Sequence, residues 1–300
     1  VSNALINLTP VYVGIVLGYI LRQTKVVDSN APATILRIGF YIVAPAVIFE
    51  STINSDTTDA LIAYPIFSLF AGLVGYLVGK FVITKHDFGS LRNPLVILAC
   101  MVVNTTFTLL FVTAQYGANG SVRVIVFNAV NLPIAYLFGH AIAARSNPEA
   151  AQEKSVAKKL LVSPPLWALI LGAIVKPIKI DFPVAFDTTL NAFAISFIPL
   201  AALAIGMSIT LKANDLRDSF IAIGLRYITS LIIGIAIIFI FGFEGMDRAI
   251  VLTLSLAPVG FTTLTFAHLE KLDEEYAAKT LGISFVSSTI LVSIVMAVAG

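Results

Sequence analysis

The sequence predicts an all-α integral membrane protein of ten transmembrane helices, arranged as two five-helix repeats of opposite orientation. Three observations lead there: a composition too apolar for a soluble domain, ten apolar runs of spanning length, and a register in which one half of the chain matches the other. Of 300 residues, 58% are apolar and 12% charged, and the mean hydropathy is +0.95. A soluble domain carries roughly a quarter of its residues as charged side chains, so this chain has too little charge to cover a water-facing surface, which excludes a soluble enzyme. A net charge of +2 is too small to attract nucleic acid or another polyanion. The single cysteine, Cys100, excludes a disulfide framework and any Cys-based metal site. The opening Val1-Ser2-Asn3 lacks the basic segment of a secretory leader, so no cleaved signal peptide is expected.

A spanning helix needs about 20 apolar residues. Runs at 5–22, 33–54, 58–80, 94–114 and 121–143 give spans 1 to 5, and runs at 162–177, 184–211, 219–241, 249–267 and 276–299 give spans 6 to 10. Each is bounded by clusters of charge, Pro, Gly or Asn, and the sixth is short. The long polar connection RSNPEAAQEKSVAKK at the chain midpoint divides a first repeat (1–144) from a second (162–300), with 145–161 as the linker. Ten spans put both termini on one side of the membrane. Fifteen of the 19 basic residues fall on the other side, and cytoplasmic loops are the ones enriched in Lys and Arg. The termini are therefore expected to be extracytoplasmic and the linker cytoplasmic, in a plasma or inner membrane.

An offset of 154 residues aligns the halves without a gap. It pairs Pro10 with Pro164, Gly18 with Gly172, Lys25 with Lys179, Pro45 with Pro199, Phe107 with Phe261 and Thr108 with Thr262. An odd number of spans per repeat makes the second repeat inverted, an arrangement found in secondary transporters with a substrate site near the midplane.

The same offset sets Asn104 of Asn104-Thr105-Thr106-Phe107-Thr108, in span 4, opposite Pro258 of Pro258-Val259-Gly260-Phe261, in span 9. Proline removes a backbone donor and glycine loosens the helix. Lipid offers no partner for the freed groups, so broken backbone at this depth must border a cavity or protein. Two broken helices crossing at the midplane would aim half-helix N-termini at one point and favour an anion there. Asn104, Thr105, Pro258, Val259 and Gly260 are the expected core of a substrate site. The alternative for Asn104 and the threonines is hydrogen bonding across a helix interface. Ala44, Pro45 and Pro199 in spans 2 and 7 are candidate walls, or kinks that shape packing. Asn128 and Asn131 share a face of span 5, as pocket lining or, the favoured reading, as interhelical glue. Glu50 is the one acidic residue clearly inside a span, away from the span ends where Asp59 and Asp187 fall; it is a coupling-proton candidate by its cost of burial or a solvated residue near the outer end of span 2. Arg226, two turns into span 8, is placed to offset a substrate carboxylate or, the favoured reading, to snorkel to the headgroups. His86, His140 and His268 have no partner at ligand spacing, and no metal or cofactor is expected.

Several of these segments together resemble the auxin efflux carrier family, which includes the plant PIN proteins and many microbial carriers. The resemblance covers the whole chain. It is carried by Pro10-Val11-Tyr12-Val13-Gly14-Ile15-Val16-Leu17-Gly18-Tyr19, Phe40-Tyr41-Ile42-Val43-Ala44-Pro45, Asn104-Thr105, Ser163-Pro164-Pro165, Ile205-Gly206-Met207-Ser208, Ala257-Pro258 and Phe266-Ala267. It implies a ten-helix inverted-repeat fold similar to bile-acid and sodium/proton carriers, with spans 4 and 9 crossing. It also implies a scaffold domain from spans 1, 2, 6 and 7, a transport domain from spans 3–5 and 8–10, and a homodimer. Family members move organic anions such as auxin, malate or malonate. Val103 stands where members often have a proline before the span 4 asparagine, so span 4 is expected to break less sharply than span 9. The short central loop is that of microbial members. The expected function is alternating-access, elevator-type transport of a small organic anion. The rivals are an intramembrane enzyme, which would need facing carboxylates or a ligand set, and a channel or sensor, which would need a continuous polar stripe.

Overall fold

The computed structural model describes residues 2–28, 30–56, 59–146, 163–209 and 216–299. Most of the expected linker at 145–161 lies outside the described residues. Among those described, the regular elements are helical, and extended pairing is confined to one isolated antiparallel bridge between Val103 and Val259. The helices are α1 (Ser2–Gln23), α2 (Ala31–Asn54), α3 (Ala63–Lys85), α4 (Asn93–Met101), α5 (Thr105–Ser146), α6 (Pro164–Val175), α7 (Val184–Ser208), α8 (Arg217–Phe241), α9 (Gly245–Ser255), α10 (Phe261–Leu269) and α11 (Glu274–Ala299).

Six helices among the described residues are long and apolar enough to cross a bilayer: Ala31–Asn54, Ala60–Lys85, Thr105–Gly139, Val184–Ser208, Arg217–Phe241 and Glu274–Val298. The count differs from ten for local reasons. Span 9 is divided into α9 and α10, and span 4 is divided before Thr105. The second part of span 4 then runs on into span 5 as α5, bent at Gly117 with φ 59° and ψ −146°, a conformation that glycine reaches without steric penalty. Span 6 is the 12-residue α6, prolonged by a 3₁₀ turn at Lys176–Ile178. Span 1 corresponds to the 22-residue α1.

The chain forms two compact units. The first comprises Val1–Asp59, Thr106–Ile125 and Ala157–Ser208; the second comprises Ala60–Thr105, Val126–Val156 and Ile209–Gly300.

In the first unit, α1 lies directly on α7. A Cβ added to Gly14 would come within 2.5 Å of the Ala202 Cβ, and one on Gly206 would strike the Ile15 carbonyl. Small residues of this kind let helix backbones touch, which matters where no hydrophobic effect presses them together. Helix α2 carries a π turn at Gly39–Val43, closed by the Ala44 N–H on the Gly39 carbonyl, immediately ahead of Pro45. A π turn is one way a helix absorbs the register change that proline imposes.

In the second unit, α3 packs on α4 through Gly75 and Gly79, where an added Cβ would lie 2.8 Å from the Cα of Met101 and of Ile97. The interior is closed by Phe67 edge-on to Phe127, at 5.2 Å between centroids. Tyr64 stacks on Phe243 and donates to Asp247 Oδ1 at 2.6 Å. Large apolar side chains turn outward on both units, among them Val184, Phe239 and Val298, as lipid-facing helices require.

Candidate functional site

The second unit contains two helix interruptions; beyond the first of them, Thr106–Ile125 of α5 is assigned to the first unit. Helix α4 stops at Met101, residues 102–104 run extended, and α5 begins at Thr105; α9 stops at Ser255, residues 256–260 are non-helical, and α10 begins at Phe261. The two extended stretches lie antiparallel. Asn104 N–H donates to the Pro258 carbonyl and Gly260 N–H to the Val102 carbonyl, each at 3.1 Å. Asn104 and Pro258, the pair that the 154-residue offset superposes, are thus bonded directly. Gly260 is required at this approach, since a Cβ there would lie 2.6 Å from Val102 Cγ1.

Nearly every backbone group in a buried break needs a partner, and side chains of the same unit supply those the bridge does not. Asn131 accepts from Val103 N–H at 3.3 Å and donates to the Val103 carbonyl at 3.1 Å. Asn104 Nδ2 donates to the Val259 carbonyl at 3.3 Å. Val259 N–H donates to Ser284 Oγ of α11 at 3.2 Å. Thr105 Oγ1 donates to Asn128 Oδ1 at 2.8 Å, beside the start of α5. Asn104 and Asn131 are buried, at 3% and 6% exposure.

Arg226 of α8 completes the arrangement. It is 1% exposed, and its Nε and Nη2 lie 3.4 Å from the carbonyls of Pro258 and Leu254. The snorkelling expected of it is overturned. A residue two turns into a uniformly apolar helix reaches the headgroups only from the outer face, and this one points inward at the second break. Tyr227, beside it, bonds with the hydroxyls of Ser287 and Ser288 at 2.8 and 2.7 Å. Cys100, the penultimate residue of α4, is 2% exposed.

The carbonyls of Val102, Val103, Pro258 and Val259 each accept a hydrogen bond from within the unit. Among the described residues, the Thr262 and Thr263 hydroxyls in the first turn of α10 are buried without a partner. The N-terminus of α10 has no side-chain cap; Thr263 N–H turns back to the Gly260 carbonyl at 3.0 Å, and the N–H groups of Phe261 and Thr262 stand at that helix end. Among the described residues no hydrogen bond leaves Asn128 Nδ2 or Arg226 Nη1. Uncapped N-termini and spare donors suit an anion.

Seven of the expected site residues, Asn104, Thr105, Asn128, Asn131, Pro258, Val259 and Gly260, are gathered in this unit. Ala44, Pro45 and Pro199 belong to the first unit, where Ala44 and Pro45 are half-buried and Pro199 is exposed. Glu50 is also there. Its Oε1 accepts from Asn54 Nδ2 at 3.0 Å, and it lines a cavity of about 630 Å³ with Lys176, Lys179, Asp181 and Asp187. Sequence reasoning missed Ser284 and misread Arg226. The readable signals were a charge well inside a span and the small hydroxyls Ser284, Ser287 and Ser288 along an apolar one. No group of three or more His, Cys, Asp or Glu able to hold a metal ion occurs among the described residues.

A family model described as membrane transport protein matches residues 3–296. An uncharacterized transporter of Methanothermobacter thermautotrophicus is 22% identical over 285 residues, spanning 93% of this chain and 93% of its own length.

Proposed function

Because this chain belongs to the membrane transport protein family, whose members are bilayer-embedded transporters and not enzymes, we propose that it carries a small organic anion by alternating access. The substrate class is a carboxylate, auxin-like or dicarboxylate, held at the two breaks of the second unit. One observation carries the reading: the buried guanidinium of Arg226 stands at the second break, bonded to the carbonyls of Pro258 and Leu254 and to no carboxylate among the described residues. A fixed positive charge disfavours a cation at that place and favours an anion.

The fold proposed for this function is two inverted repeats of five spans with spans 4 and 9 crossing, both termini extracytoplasmic, and two copies per assembly, the last by family resemblance. Direct bonding of Asn104 to Pro258 supports the repeat. The first unit, which contains spans 1, 2, 6 and 7, is read as the scaffold, and the second as the body that moves in an elevator-type cycle. Support comes from the two breaks themselves, whose extended segments 102–104 and 256–260 both fall in the second unit, although Thr106–Ile125 of α5 is assigned to the first, so that a substrate bound at the breaks would travel with the second unit.

Without a mid-span carboxylate beside the breaks, transport is expected to follow the substrate gradient and the membrane potential, worth about 2.3 kcal/mol per charge per 100 mV. Reconstituted vesicles test this. Carboxylate uptake should respond to an imposed potential and persist without sodium. Uptake abolished by sodium removal would refute the uncoupled scheme, and uptake that follows a pH gradient and is uncoupled by Glu50→Gln would assign Glu50 the coupling proton. If vesicles take up neutral or cationic solutes and no carboxylate, the anion reading itself is wrong.

A further inference from the structure

Arg226 is a buried charge without an anion. Its guanidinium is 1% exposed, and both of its hydrogen bonds end on carbonyls, at 3.4 Å. No carboxylate among the described residues pairs with it. The titratable groups that act on it are Tyr227 and Cys100, which are uncharged at neutral pH. Arginine cannot escape this situation by losing its proton, because guanidinium stays charged in proteins.

Leu254 and Pro258 lie at and just beyond the C-terminal end of α9. A helix C-terminus offers about half an elementary negative charge, so it offsets only part of the guanidinium. The remaining positive charge stands one hydrogen bond from the bridge, since the Pro258 carbonyl that accepts from Arg226 also accepts from Asn104 N–H. Unpaired burial of this kind is costly, and in a membrane-embedded carrier it marks a place where a partner of opposite sign arrives. Arg226 brings that charge to the break directly, through the Pro258 carbonyl.

We propose that Arg226 is the fixed counter-charge of the substrate site and that it restricts the site to anions bearing one negative charge. This rests on reading the two breaks as the place where substrate binds. A monocarboxylate there neutralises the guanidinium and meets the uncapped N-terminus of α10. The guanidinium carries one positive charge, so Arg226 offers no counter-charge to the second carboxylate of a dianion. Arg226 is thus a specificity-determining residue.

The test uses the purified full chain and equilibrium binding read by thermal stabilisation, with benzoate and indole-3-acetate as monoanions, phthalate and malonate as dianions, and benzamide as the neutral analogue. The wild-type protein should bind a monoanion at least tenfold more tightly than benzamide or either dianion. Arg226→Gln should weaken the monoanion at least tenfold and bring it level with benzamide, while Arg226→Lys keeps the preference for charge. A guanidinium that only caps α9 would alter stability and leave the benzoate-to-benzamide ratio unchanged. If Arg226→Gln binds monoanions as the wild type does, this inference falls and the anion-carrier reading stands. Wild-type protein that prefers phthalate or malonate removes the single-charge limit without any variant. If the wild type binds none of the anions, both readings fall together.

Discussion

The two interrupted helices reach the same unwound state by different routes. Between α9 and α10 the covalent chain does much of the work: Pro258 has no N–H to give, and Gly260 allows Val102 to approach. Between α4 and α5 there is no proline and no glycine. Val103 occupies the middle of that break and is held there by one side chain, Asn131, which bonds both its N–H and its carbonyl. The first break spans three residues and the second five, in keeping with a shallower interruption at Val103. A helix in an apolar setting can therefore be kept open either by residues that cannot close it or by a neighbour that out-competes the i→i−4 bond. The first kind is insensitive to its surroundings. The second depends on its neighbours: the Asn131 amide at Val103 and the bridge to the other break.

The largest effect should come from removing that amide. Asn131→Ala leaves the buried Val103 N–H without a partner and should cost about 2–3 kcal/mol of stability, read as a lowered unfolding midpoint in detergent. An unchanged midpoint would show that the first break is held by something other than Asn131.

Next comes a direct comparison of the breaks in ligand binding. Asn104→Ala removes a buried amide donor and should weaken substrate-dependent stabilisation by about 1–3 kcal/mol with the fold intact. Pro258→Ala should act in the same assay with a smaller loss of about 1 kcal/mol, because Ser284 and Arg226 still hold the neighbouring backbone. A silent Pro258→Ala beside an affected Asn104→Ala would mean that the breaks are not equivalent. Full ligand-dependent stabilisation in Asn104→Ala would reduce Asn104 to a link between helices.

The smallest effect concerns a contact remote from both breaks. Arg92, just ahead of α4, bonds Asp273, in the connection from α10 to α11, at 2.7 Å. Partial burial alone would raise the Asp273 carboxyl, but the Tyr276 N–H and the Arg92 guanidinium outweigh it and hold the pKa below the ordinary carboxylate value. A depressed carboxylate stabilises the fold above its unfolded pKa, about 3.9, and that contribution is lost as pH falls through the folded value. Asp273→Asn should therefore cost about 1 kcal/mol or less at pH 7. The gap between variant and wild-type unfolding midpoints should close below about pH 4, and a gap constant with pH would exclude ionisation of Asp273 as its cause.

Both breaks were legible in the sequence because each leaves a local mark: Asn104-Thr105 interrupts an apolar run, and Pro258-Val259-Gly260 combines a missing donor with a missing Cβ. The bend at Gly117 was visible only as a gap between spans 4 and 5; in the structure α5 passes through it and joins them. Arg226 was misread for a deeper reason. Helix α8 is apolar on all sides, so its sequence carries no periodicity to say which face turns inward, and a charge two turns from an end fits either the headgroups or the interior. Ser284 was passed over on similar grounds, since a serine in an apolar helix commonly bonds its own backbone, as Ser284 also does to the Leu281 carbonyl.

The burial of Cys100 has a practical side. It is the chain's one thiol, enclosed at 2% exposure beside the first break, where bulky maleimides find little access. Single-cysteine variants for spectroscopic or crosslinking work can therefore be built on the natural sequence, without first disturbing the residue that packs against Gly75 and Gly79.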